Sequence, residues 1–195
     1  EDPSFPRTAS LVRRFIDVEQ VGSTNAVLAS LEEPLGFSIA LSTNQVDGKG
    51  RKNREWKSNP RESLAVSTLI PESVVSSTVF PWVPLLAGLA VVRSVAALGL
   101  RGARLKWPND VLVGEGKLAG VLCQALPSGA IVAGVGVNLF FSSGPPVPRA
   151  TALQDHIHIS RSTPDAFVAR FVDELRILLG ARLNRSSSDV SPARE

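Results

Sequence analysis

Residues 106–110 read Lys-Trp-Pro-Asn-Asp, a polar turn in otherwise apolar sequence, and the residues around this turn decide the fold. Residues 111–113 and 118–123 are short β-prone runs, and the Gly-Glu-Gly of residues 114–116 between them is typical of a hairpin turn. Lys117 is therefore predicted to begin the return strand. A buried ammonium group must be paired or must face a ligand, because it loses its hydration. An edge lysine that reaches water is the alternative, and this segment alone leaves both interpretations open.

A second segment, residues 48–57, combines five cations, two glycines and a tryptophan in ten residues. Glycines allow backbone N–H groups to approach an anion, and Arg51 and Arg54 can each bind phosphate or carboxylate oxygens through two N–H groups. Trp56 offers an apolar face to a flat ring. This composition favours an anion-binding site. Two alternatives stay open: a solvated charged loop, and a nucleic-acid surface, for which one aromatic residue and a net charge of +3 are weak support.

Two common nucleotide-binding motifs are absent from the sequence. No string matches the phosphate loop G-x-x-x-x-G-K-[ST]. The dinucleotide fingerprint G-x-G-x-x-G fails as well, because residues 48–50 are followed by Asn53 at the third glycine position and residues 134–136 are followed by Leu139. An anion site in this chain must therefore be built differently.

Composition bounds the organisation of the chain. At 195 residues, with 44% hydrophobic and 20% charged residues, it is long enough for one sizeable core. We expect one domain over residues 1–184 and a polar tail over residues 185–195. The amino terminus lacks the pattern of a signal peptide, and residues 85–98 contain Arg93 and are too short to cross a bilayer, so no membrane association is expected. Cys123 is the single cysteine, which excludes an internal disulfide, and we expect a buried, unreactive thiol.

The hydrophobic pattern and the turn residues predict seven strands and three helices. Ser23 or Thr24 is expected to cap the first helix, which Pro34 ends, and the second helix begins at Pro84 and stops at Gly99. The first helix is predicted over residues 24–33. The third helix is capped by Thr163-Pro164-Asp165 and has an apolar face of Phe167, Phe171, Leu175, Leu178 and Leu179. The predicted strands cover residues 12–18, 37–42, 63–70, 103–107, 111–113, 117–125 and 130–139. Closely spaced strands argue for an α+β fold, a mixed and largely antiparallel sheet flanked by helices, rather than repeated β-α-β units.

Taken together, the motifs resemble the biotin protein ligases, also called biotin–[acetyl-CoA-carboxylase] ligases. The matching strings are Gly-Ser-Thr-Asn at residues 22–25, Thr-Asn-Gln leading to Trp56 at residues 43–56, Lys-Trp-Pro-Asn-Asp to Gly120 at residues 106–120, and Gly-Val-Gly-Val-Asn at residues 134–138. The resemblance covers about residues 12–180 and implies the family's catalytic domain, with a fold related to class II aminoacyl-tRNA synthetases. The family usually has arginine where Lys49 stands and glycine where Asn53 stands. Lysine keeps the charge but cannot bind an anion through two N–H groups as arginine does.

The resemblance implies a reaction in two steps. ATP activates biotin as biotinyl-5′-adenylate, and the biotin is then transferred to a lysine of a biotin carboxyl carrier protein or domain. Lys117 and Arg51 are expected to neutralise the carboxylate and the phosphate during the first step. Asp110 either accepts the proton of the carrier lysine or holds the turn through an ion pair with Lys106 or Lys117. The implied catalytic residues are Lys117, Arg51 and Asp110.

The resemblance also implies which residues bind the two small molecules. The polar groups of Ser23, Thr24 and Gln45 suit the ureido ring of biotin, although helix capping and turn formation explain the first two equally well. Trp56 is expected to cover adenine, whereas Trp107 is expected in the core. The implied biotin-binding residues are Ser23, Thr24, Asn25, Gln45, Gly48, Lys49, Gly50, Arg51, Lys117 and Gly120, and the implied ATP- and adenylate-binding residues are Lys49, Arg51, Arg54, Trp56, Asn109, Lys117, Gly134, Gly136 and Asn138.

The basic segment and the metal requirement carry expectations of their own. Like charges in residues 48–57 repel one another without a ligand, so this loop is predicted to be mobile when empty and to close over the adenylate. Mg²⁺ would share the phosphate charge of ATP without a dedicated protein site. His156 and His158 lie two residues apart on a predicted loop and are expected at the surface rather than on a metal.

Two rival functions remain open at this point. Lipoate or octanoate attachment uses a related architecture, but the arginine and triple-glycine signature associated with lipoate ligases is absent. A non-enzymatic module that binds a polyanion through the basic loop is the second rival. Because few residues precede the first predicted strand, no DNA-binding domain is expected, and the small SH3-like carboxyl-terminal domain of many relatives is expected to be absent or truncated. The resemblance implies a cytoplasmic enzyme and leaves open whether it forms a homodimer.

Overall fold

Seven strands form one sheet in the computed structural model, which describes residues 4–31, 36–75 and 79–180. The strands are β1 Phe15–Asp17, β2 Ile39–Ser42, β3 Ser63–Ile70, β4 Ala103–Lys106, β5 Asp110–Val113, β6 Gly116–Ala125 and β7 Ile131–Asn138, and the helices are α1 Pro6–Leu11, α2 Thr24–Ala29, α3 Val83–Ala97 and α4 Thr163–Leu178. The spatial order is β1-β2-β3-β7-β6-β5-β4, and every pair except β1 with β2 is antiparallel. The predicted α+β fold with a mixed, largely antiparallel sheet is confirmed.

The first part of the chain differs most from the prediction. Strand β1 covers only Phe15–Asp17 of the predicted residues 12–18, and residues 6–11 form the short helix α1, which the hydrophobic pattern did not indicate. Helix α2 ends at Ala29, well before the predicted end at residue 33. Ser23 occupies the position that precedes this helix, but its side chain makes no capping hydrogen bond. Pro34 and the predicted tail over residues 185–195 lie outside the described residues.

The hairpin of β5 and β6 contains the lysine that the sequence singled out. Gly114 turns the chain with a φ of 54°, in the left-handed region that glycine adopts readily. Between the pairs Val111 with Ala119 and Leu112 with Lys117 the register shifts, so that Leu118 has no partner on β5. Leu118 and Ala119 therefore both face the main core. This bulge turns Lys117 to the opposite side of the sheet, as β-bulges commonly re-aim a side chain beside a functional site.

The two faces of the sheet carry side chains of different size. Helices α3 and α4 cover one face, where large apolar residues of alternate strand positions form the main core. Helix α2 covers part of the other face with a small apolar cluster that includes Leu28 and Leu69. Beside this cluster, one row across four strands pairs Ala65 with Gly136, Gly136 with Gly120, and Gly120 with Asp110. Because three of these four residues have a single methyl group or none, the row forms a shallow trough.

Helix α3 begins and ends as the sequence predicted. Pro84 lies in its first turn, and Gly99 follows its end with a φ of 97°. Together with a 3₁₀ turn before it, the apolar helical segment Phe80–Ala97 has 18 residues and could cross a membrane by length and composition alone. The length argument made from the sequence is therefore wrong. One side of α3 is buried against α4 and the sheet, as in the core helix of a globular domain.

Helix α4 presents the predicted apolar face to the core. Phe167, Phe171 and Leu175 are fully buried, and Leu178 and Leu179 pack against the same cluster. Its predicted cap is wrong, because Ser162 precedes the helix and no side chain caps it.

Asp165, in the first turn of α4, instead holds helix α1. Its carboxylate accepts hydrogen bonds from the backbone N–H groups of Arg7 at 3.1 Å and Thr8 at 2.9 Å, and from the Thr8 hydroxyl at 2.8 Å. A carboxylate bound by several N–H and O–H donors forms strong hydrogen bonds. Asp165 thereby fixes the amino-terminal helix to the body of the fold.

Glu62 ties the start of β3 to the segment that follows β7. Its carboxylate accepts hydrogen bonds from the backbone N–H of Ser142 at 3.0 Å, from the Ser142 hydroxyl, and from Asn59 Nδ2 at 2.9 Å. Hydrogen bonding by Ser142 lowers the pKa of the Glu62 carboxyl below its ordinary value of 4.5. The ends of the two strands that carry Ala65 and Gly136 are thus held together.

Candidate active site

A cleft of about 320 Å³ opens on the face of the sheet that carries the small residues. Its floor is the row Ala65, Gly136, Gly120 and Asp110, together with residues of the next row. The start of α2 forms one end, and the loop from Gln45 to Trp56 closes a side. Volumes of about 300–1,000 Å³ are usual for small-molecule sites.

One end of the cleft is lined by neutral polar groups. Gln45 Oε1 accepts hydrogen bonds from the backbone N–H of Thr24 at 2.9 Å and from its hydroxyl at 3.2 Å. The Ser67 hydroxyl lies 2.7 Å from Thr24 Oγ1 and 2.6 Å from Asn25 Oδ1. The four side chains form one connected network. Because each is held by another, this end presents preorganised donors and acceptors without a net charge.

Gly134 makes room for this network. A Cβ atom added to Gly134 would overlap the Asn25 side chain, with the Asn25 Cγ only 2.9 Å away. Asn25 is buried against the strand, and its Nδ2 donates to the backbone carbonyl of Leu122 at 3.1 Å. Glycine is therefore required at position 134 by close packing rather than by backbone conformation.

Trp56 lies on the floor of the cleft. A Cβ atom added to Gly136 would be 2.6 Å from the Trp56 ring, and one added to Gly120 would be 3.2 Å from it. The indole Nε1 is buried and, among the described residues, has no hydrogen-bond partner. A buried unpaired donor is costly, on the order of 1–3 kcal/mol. The ring thus rests on the paired glycines of β6 and β7, with its indole Nε1 on the side of Gly136.

Lys117 and Asp110 form an ion pair in the cleft. Lys117 Nζ lies 2.8 Å from Asp110 Oδ1, and it lies 5.5 Å from the centre of a Trp56 ring. The side chains are 37% and 27% exposed, so the pair is accessible from the cleft and is not sealed in the core. This geometry answers the question raised by the sequence: Lys117 is both paired and directed toward an open site.

The backbone of Lys117 is fixed by residues outside the hairpin. Its N–H donates to the carbonyl of Arg149 at 2.6 Å, and its carbonyl accepts the N–H of Thr151 at 3.0 Å. Asn138 Nδ2 donates to the carbonyls of Lys117 at 3.2 Å and Thr151 at 2.9 Å. These bonds hold the return strand where Lys117 enters the cleft.

The basic loop folds back on itself at the rim. Gly50 N–H donates to the carbonyl of Arg54 at 2.6 Å, and Trp56 N–H donates to the carbonyl of Gly48 at 2.8 Å. Lys49, Arg51 and Arg54 line the cleft with exposed side chains. Lys49 is paired with Asp47 at 3.4 Å and Glu55 also lines the cleft, so the positive charge of the rim next to Lys117 comes mainly from Arg51 and Arg54. The predicted mobility of this loop stays a prediction.

The structure brings most of the predicted site residues together. The cleft is lined by Ser23, Thr24, Asn25, Gln45, Lys49, Gly50, Arg51, Arg54, Trp56, Asn109, Asp110, Lys117, Gly120, Gly134 and Gly136. Gly48 and Asn138 are not among the lining residues. Gly48 allows the close approach of Gln45 and Trp56, because a Cβ atom there would be 2.7 Å from Gln45 Nε2. The Asn138 side-chain amide donates to two backbone carbonyls, so it holds the strand that carries Lys117 and does not face the cleft.

Other predictions about single residues can be compared with the structure. The expectation that Trp107 lies in the core is wrong, because its side chain is 76% exposed. His156 and His158 are exposed as expected, and no cluster of three metal-ligating side chains occurs among the residues with described positions. Cys123 is half-buried and not fully buried as predicted; desolvation nevertheless raises the pKa of its thiol to about 12, as expected of an unreactive cysteine.

Several lining residues were missed by the sequence interpretation. They are Glu55, Ala65, Val121, Leu122, Val135 and Val147, and Ser67 joins the polar network. Ser67 and Ala65 occupy alternate positions of β3, between apolar residues that face the core. Small residues at every second position of an otherwise hydrophobic strand were the available signal, since they indicate that one face lacks packing partners.

Comparisons with known proteins identify the family of this chain. The model of the Biotin/lipoate A/B protein ligase family matches residues 18–139. The chain belongs to this family. A biotin–[acetyl-CoA-carboxylase] ligase of Mycobacterium tuberculosis is 34% identical over 164 residues, which cover 81% of this chain and 61% of the relative. An enzyme of the same name from Paracoccus denitrificans is 37% identical over 130 residues, 60% of this chain and 51% of the relative.

A solved structure shares the fold. The biotin protein ligase of Aquifex aeolicus in complex with biotin and ATP superposes with a TM-score of 0.72 and 25% identity, covering 84% of this chain and 71% of that one. The predicted family and fold are confirmed. The chain spans only about half to three fifths of the curated relatives' length.

Proposed function

We propose that this chain activates biotin with ATP to give biotinyl-5′-adenylate and transfers the biotin to a lysine of a biotin carboxyl carrier protein. One observation carries the proposal: a neutral polar pocket and an accessible Lys117–Asp110 ion pair share one cleft beneath a cationic loop. A neutral ring, a carboxylate and a phosphate would each find matching groups there. Relatives at 34% and 37% identity that are named biotin–[acetyl-CoA-carboxylase] ligases support the same assignment.

The bicyclic ring of biotin would occupy the polar end. The ureido group has two N–H donors and one carbonyl acceptor, and the network of Thr24, Asn25, Gln45 and Ser67 offers hydroxyl and amide groups to match them. Ser23 lies at the same end of the cleft. A site built from fixed polar groups discriminates strongly against a ligand that lacks the matching groups, because its own groups would stay unpaired.

The adenylation step would take place at the opposite end. A carboxylate oxygen of biotin attacks the α-phosphorus of ATP, the bond to the bridging oxygen breaks, and pyrophosphate leaves. Lys117 would hold the carboxylate and the α-phosphate together, and Arg51 and Arg54 would neutralise the departing phosphates. Lys49 retains a cation at the rim. Positioning and charge neutralisation suffice, so no protein nucleophile is required.

Asp110 would act in the second step. The carrier lysine attacks the acyl carbon of the adenylate, AMP leaves, and the amine must lose a proton. The Asp110 carboxylate lies 2.8 Å from Lys117 Nζ, next to the proposed acyl phosphate position, and could accept that proton or orient the amine. Asp110 would also restrain Lys117 before substrates bind. Both roles use the same carboxylate.

Mg²⁺ would accompany ATP in this proposal. It prefers a few carboxylate or phosphate oxygens together with water. The cleft offers Asp110 and Glu55, which are enough to assist a phosphate-bound ion but not to enclose one. When bound, the ion would supply countercharge to the phosphates. We further propose a cytoplasmic site of action, where ATP and carboxylase subunits are available.

Attachment of lipoate or octanoate is the second candidate, because the family includes lipoate ligases. The network of Thr24, Asn25, Gln45 and Ser67 argues against it, since a dithiolane ring or an alkyl chain would displace water from these polar groups without hydrogen-bonding to them. A passive polyanion-binding module is less well supported still. Binding of a polyanion at the loop gives no role to the Lys117–Asp110 ion pair inside the cleft.

Acid-dependent exchange of pyrophosphate into ATP tests the proposal. Biotin, lipoate and octanoate are supplied separately with ATP, Mg²⁺ and labelled pyrophosphate. Exchange with biotin alone is expected. Exchange that requires lipoate or octanoate would move the chain to the other branch of the family, and binding of polynucleotide with steep salt dependence but no exchange would favour the polyanion module.

A further inference from the structure

An apolar groove of about 350 Å³ opens next to the cleft. Its apolar walls come from the start of α3, from the turn between β4 and β5, and from the middle of β6: Pro81, Pro84, Leu85, Trp107, Pro108 and Cys123. Trp107 is 76% exposed although it is the largest of these side chains. Aromatic residues that stand exposed beside apolar neighbours are typical of binding surfaces, where tryptophan contributes more than most residues.

The groove leads into the cleft. Arg51, Asn109, Val121 and Leu122 line both cavities. Asn109 fixes the shared wall, because its Nδ2 donates to the Val121 carbonyl at 2.8 Å and its own carbonyl accepts the Val121 N–H at 2.8 Å. The groove and the cleft that holds the Lys117–Asp110 pair therefore share one wall.

Residues 107–110, which follow one another in the chain, connect the groove to the cleft. Trp107 and Pro108 line the groove, Asn109 lines both cavities, and Asp110 lies in the cleft at its ion pair with Lys117. A polypeptide segment seated on Trp107 would therefore lie beside the wall that the groove shares with the cleft. A lysine of that segment would enter the cleft from the groove side.

The charge at the junction restricts the occupant further. Arg51 lines both cavities, and Arg54 lines the cleft beside it. Both side chains are exposed, and an acidic partner would be attracted to them. The groove itself offers mainly aliphatic, aromatic and proline surface. The chemistry that fits is an apolar residue next to a lysine, on a protein with acidic groups nearby.

We propose that this groove docks the carrier protein by the apolar residues that flank its acceptor lysine, while Arg51 and Arg54 attract acidic groups around it. The proposal rests on the proposed function, since it concerns the protein substrate of the second step. Docking positions the amine so that it attacks the acyl carbon, the bond from that carbon to the AMP oxygen breaks, and an amide forms. The proton released from the amine passes to Asp110.

Replacing Trp107 by alanine, with Trp82→Ala as the matched control, tests this docking site. Trp82 is 60% exposed on the turn before α3, but it does not line the groove. Three activities are measured on each protein: biotin-dependent ATP–pyrophosphate exchange, formation of biotinyl hydroxamate with hydroxylamine as a small acceptor, and transfer to an unbiotinylated biotin carboxyl carrier domain.

The expected result is a change confined to the protein acceptor. Trp107→Ala should raise the KM for the carrier domain at least about tenfold, with exchange and hydroxamate formation within about twofold of the wild type. Leu85→Asp should have the same effect, and its melting temperature and exchange rate check that it is folded. Trp82→Ala should match the wild type in all three activities. Added salt should lower kcat/KM for the carrier in the wild type.

Each other outcome overturns a specific part of the proposal. An unchanged KM for the carrier in both groove variants would overturn the docking site while leaving the proposed function intact. A raised KM for ATP in the exchange reaction would assign the groove to adenine instead. Loss of a dimer on Trp107→Ala, with an unchanged KM for the carrier, would assign it to a second copy of the chain. Absence of exchange in the wild type would overturn the proposed function and the docking site with it.

Discussion

The two faces of the sheet are built from the same strands but use opposite kinds of side chain. On the core face, β3, β6 and β7 carry large, buried and apolar side chains: Leu64, Val66, Leu118, Ile131 and Val137. On the cleft face, the intervening positions are small or hydroxylic: Ala65, Ser67, Gly120, Gly134 and Gly136. Burying apolar surface stabilises a fold by about 25 cal/mol per Å². The cleft face gives up that stabilisation and gains space for a ligand.

The difference between the two faces predicts which substitutions should change the stability of the fold and which should change its activity. Substitutions on the core face should lower the free energy of unfolding and leave the chemistry intact, because they remove packing. Substitutions on the cleft face should chiefly impair ligand binding and chemistry, because the side chains there line the cleft and not the main core. A residue that affected both properties strongly would break the comparison.

Lys117→Ala should produce the largest effect. Removing the ammonium group is expected to lower biotin-dependent exchange at least about 100-fold, roughly 2.7 kcal/mol, because the carboxylate and the α-phosphate then repel each other. Exchange kinetics give the rate, and urea unfolding should show a free energy of unfolding within about 1 kcal/mol of the wild type, as for a partly exposed ion pair.

Lys106→Ala is the control for that experiment. Lys106 is exposed at the end of β4 and does not line the cleft, so exchange should stay within about twofold of the wild type. Survival of the exchange activity within tenfold in Lys117→Ala would show that the assigned role of Lys117 is wrong.

Gly134→Ala should sharpen the comparison, because it adds one methyl group to the cleft face. The new Cβ atom would displace Asn25 and break its contact with Ser67. The KM for biotin should therefore rise by a factor of several tens. The KM for ATP should change little. Gly22→Ala is the matched glycine variant, since a Cβ atom there has only the Asp47 side chain near it, at 4.0 Å. Equal effects of both variants on biotin would contradict the proposed position of the ring.

Val66→Ala is the counterpart on the core face. Val66 is fully buried between Ala65 and Ser67, and removal of two methyl groups should lower the free energy of unfolding by about 2 kcal/mol. Urea unfolding measures this loss. The kcat of exchange, measured well below the melting temperature, should remain within about twofold of the wild type, and a tenfold fall would mean that the two faces are not separable.

Glu62→Gln should give the smallest effect, and its effect should depend on pH. The pKa of Glu62 is lowered in the folded protein, so its stabilisation is fully present above the ordinary value of 4.5 and is lost as the pH falls through the folded pKa. At pH 7 the variant should be less stable by about 1 kcal/mol, the usual net value of a hydrogen bond. Urea unfolding should show a smaller difference in the free energy of unfolding at about pH 3 than at pH 7. A difference that stays constant would argue against an ionised Glu62 carboxylate that accepts these hydrogen bonds.

Much of the fold could be predicted because local patterns were strong. Helix α3 was bounded by Pro84 and Gly99, and the turn of residues 114–116 located the hairpin that carries Lys117. Helix α1 was missed because it is a single short helix held by Asp165, a contact between distant parts of the chain. Such tertiary hydrogen bonds leave no periodic signal.

The sequence motifs contain residues that the fold gathers around one cleft, but they do not give the geometry of that cleft. The motifs identified Lys117, Asp110 and Arg51, but the bulge at Leu118 that turns Lys117 into the cleft depends on the pairing of two strands. Trp107 was expected in the core because tryptophan is mostly buried, yet it stands at the mouth of a groove. Sequence patterns identify residue types well, whereas they do not give the direction in which an irregular strand or turn points a side chain.

Mass spectrometry of the small molecules retained by the protein would test the assignment of the cleft face most directly. The wild-type chain is incubated with ATP, Mg²⁺ and an equimolar mixture of biotin, lipoate and octanoate, then desalted and denatured. Biotinyl-5′-adenylate is the predicted product, and it should be absent when Lys117→Ala replaces the wild type. Recovery of lipoyl- or octanoyl-adenylate, or an equal yield of biotinyl-5′-adenylate from Lys117→Ala, would contradict the account.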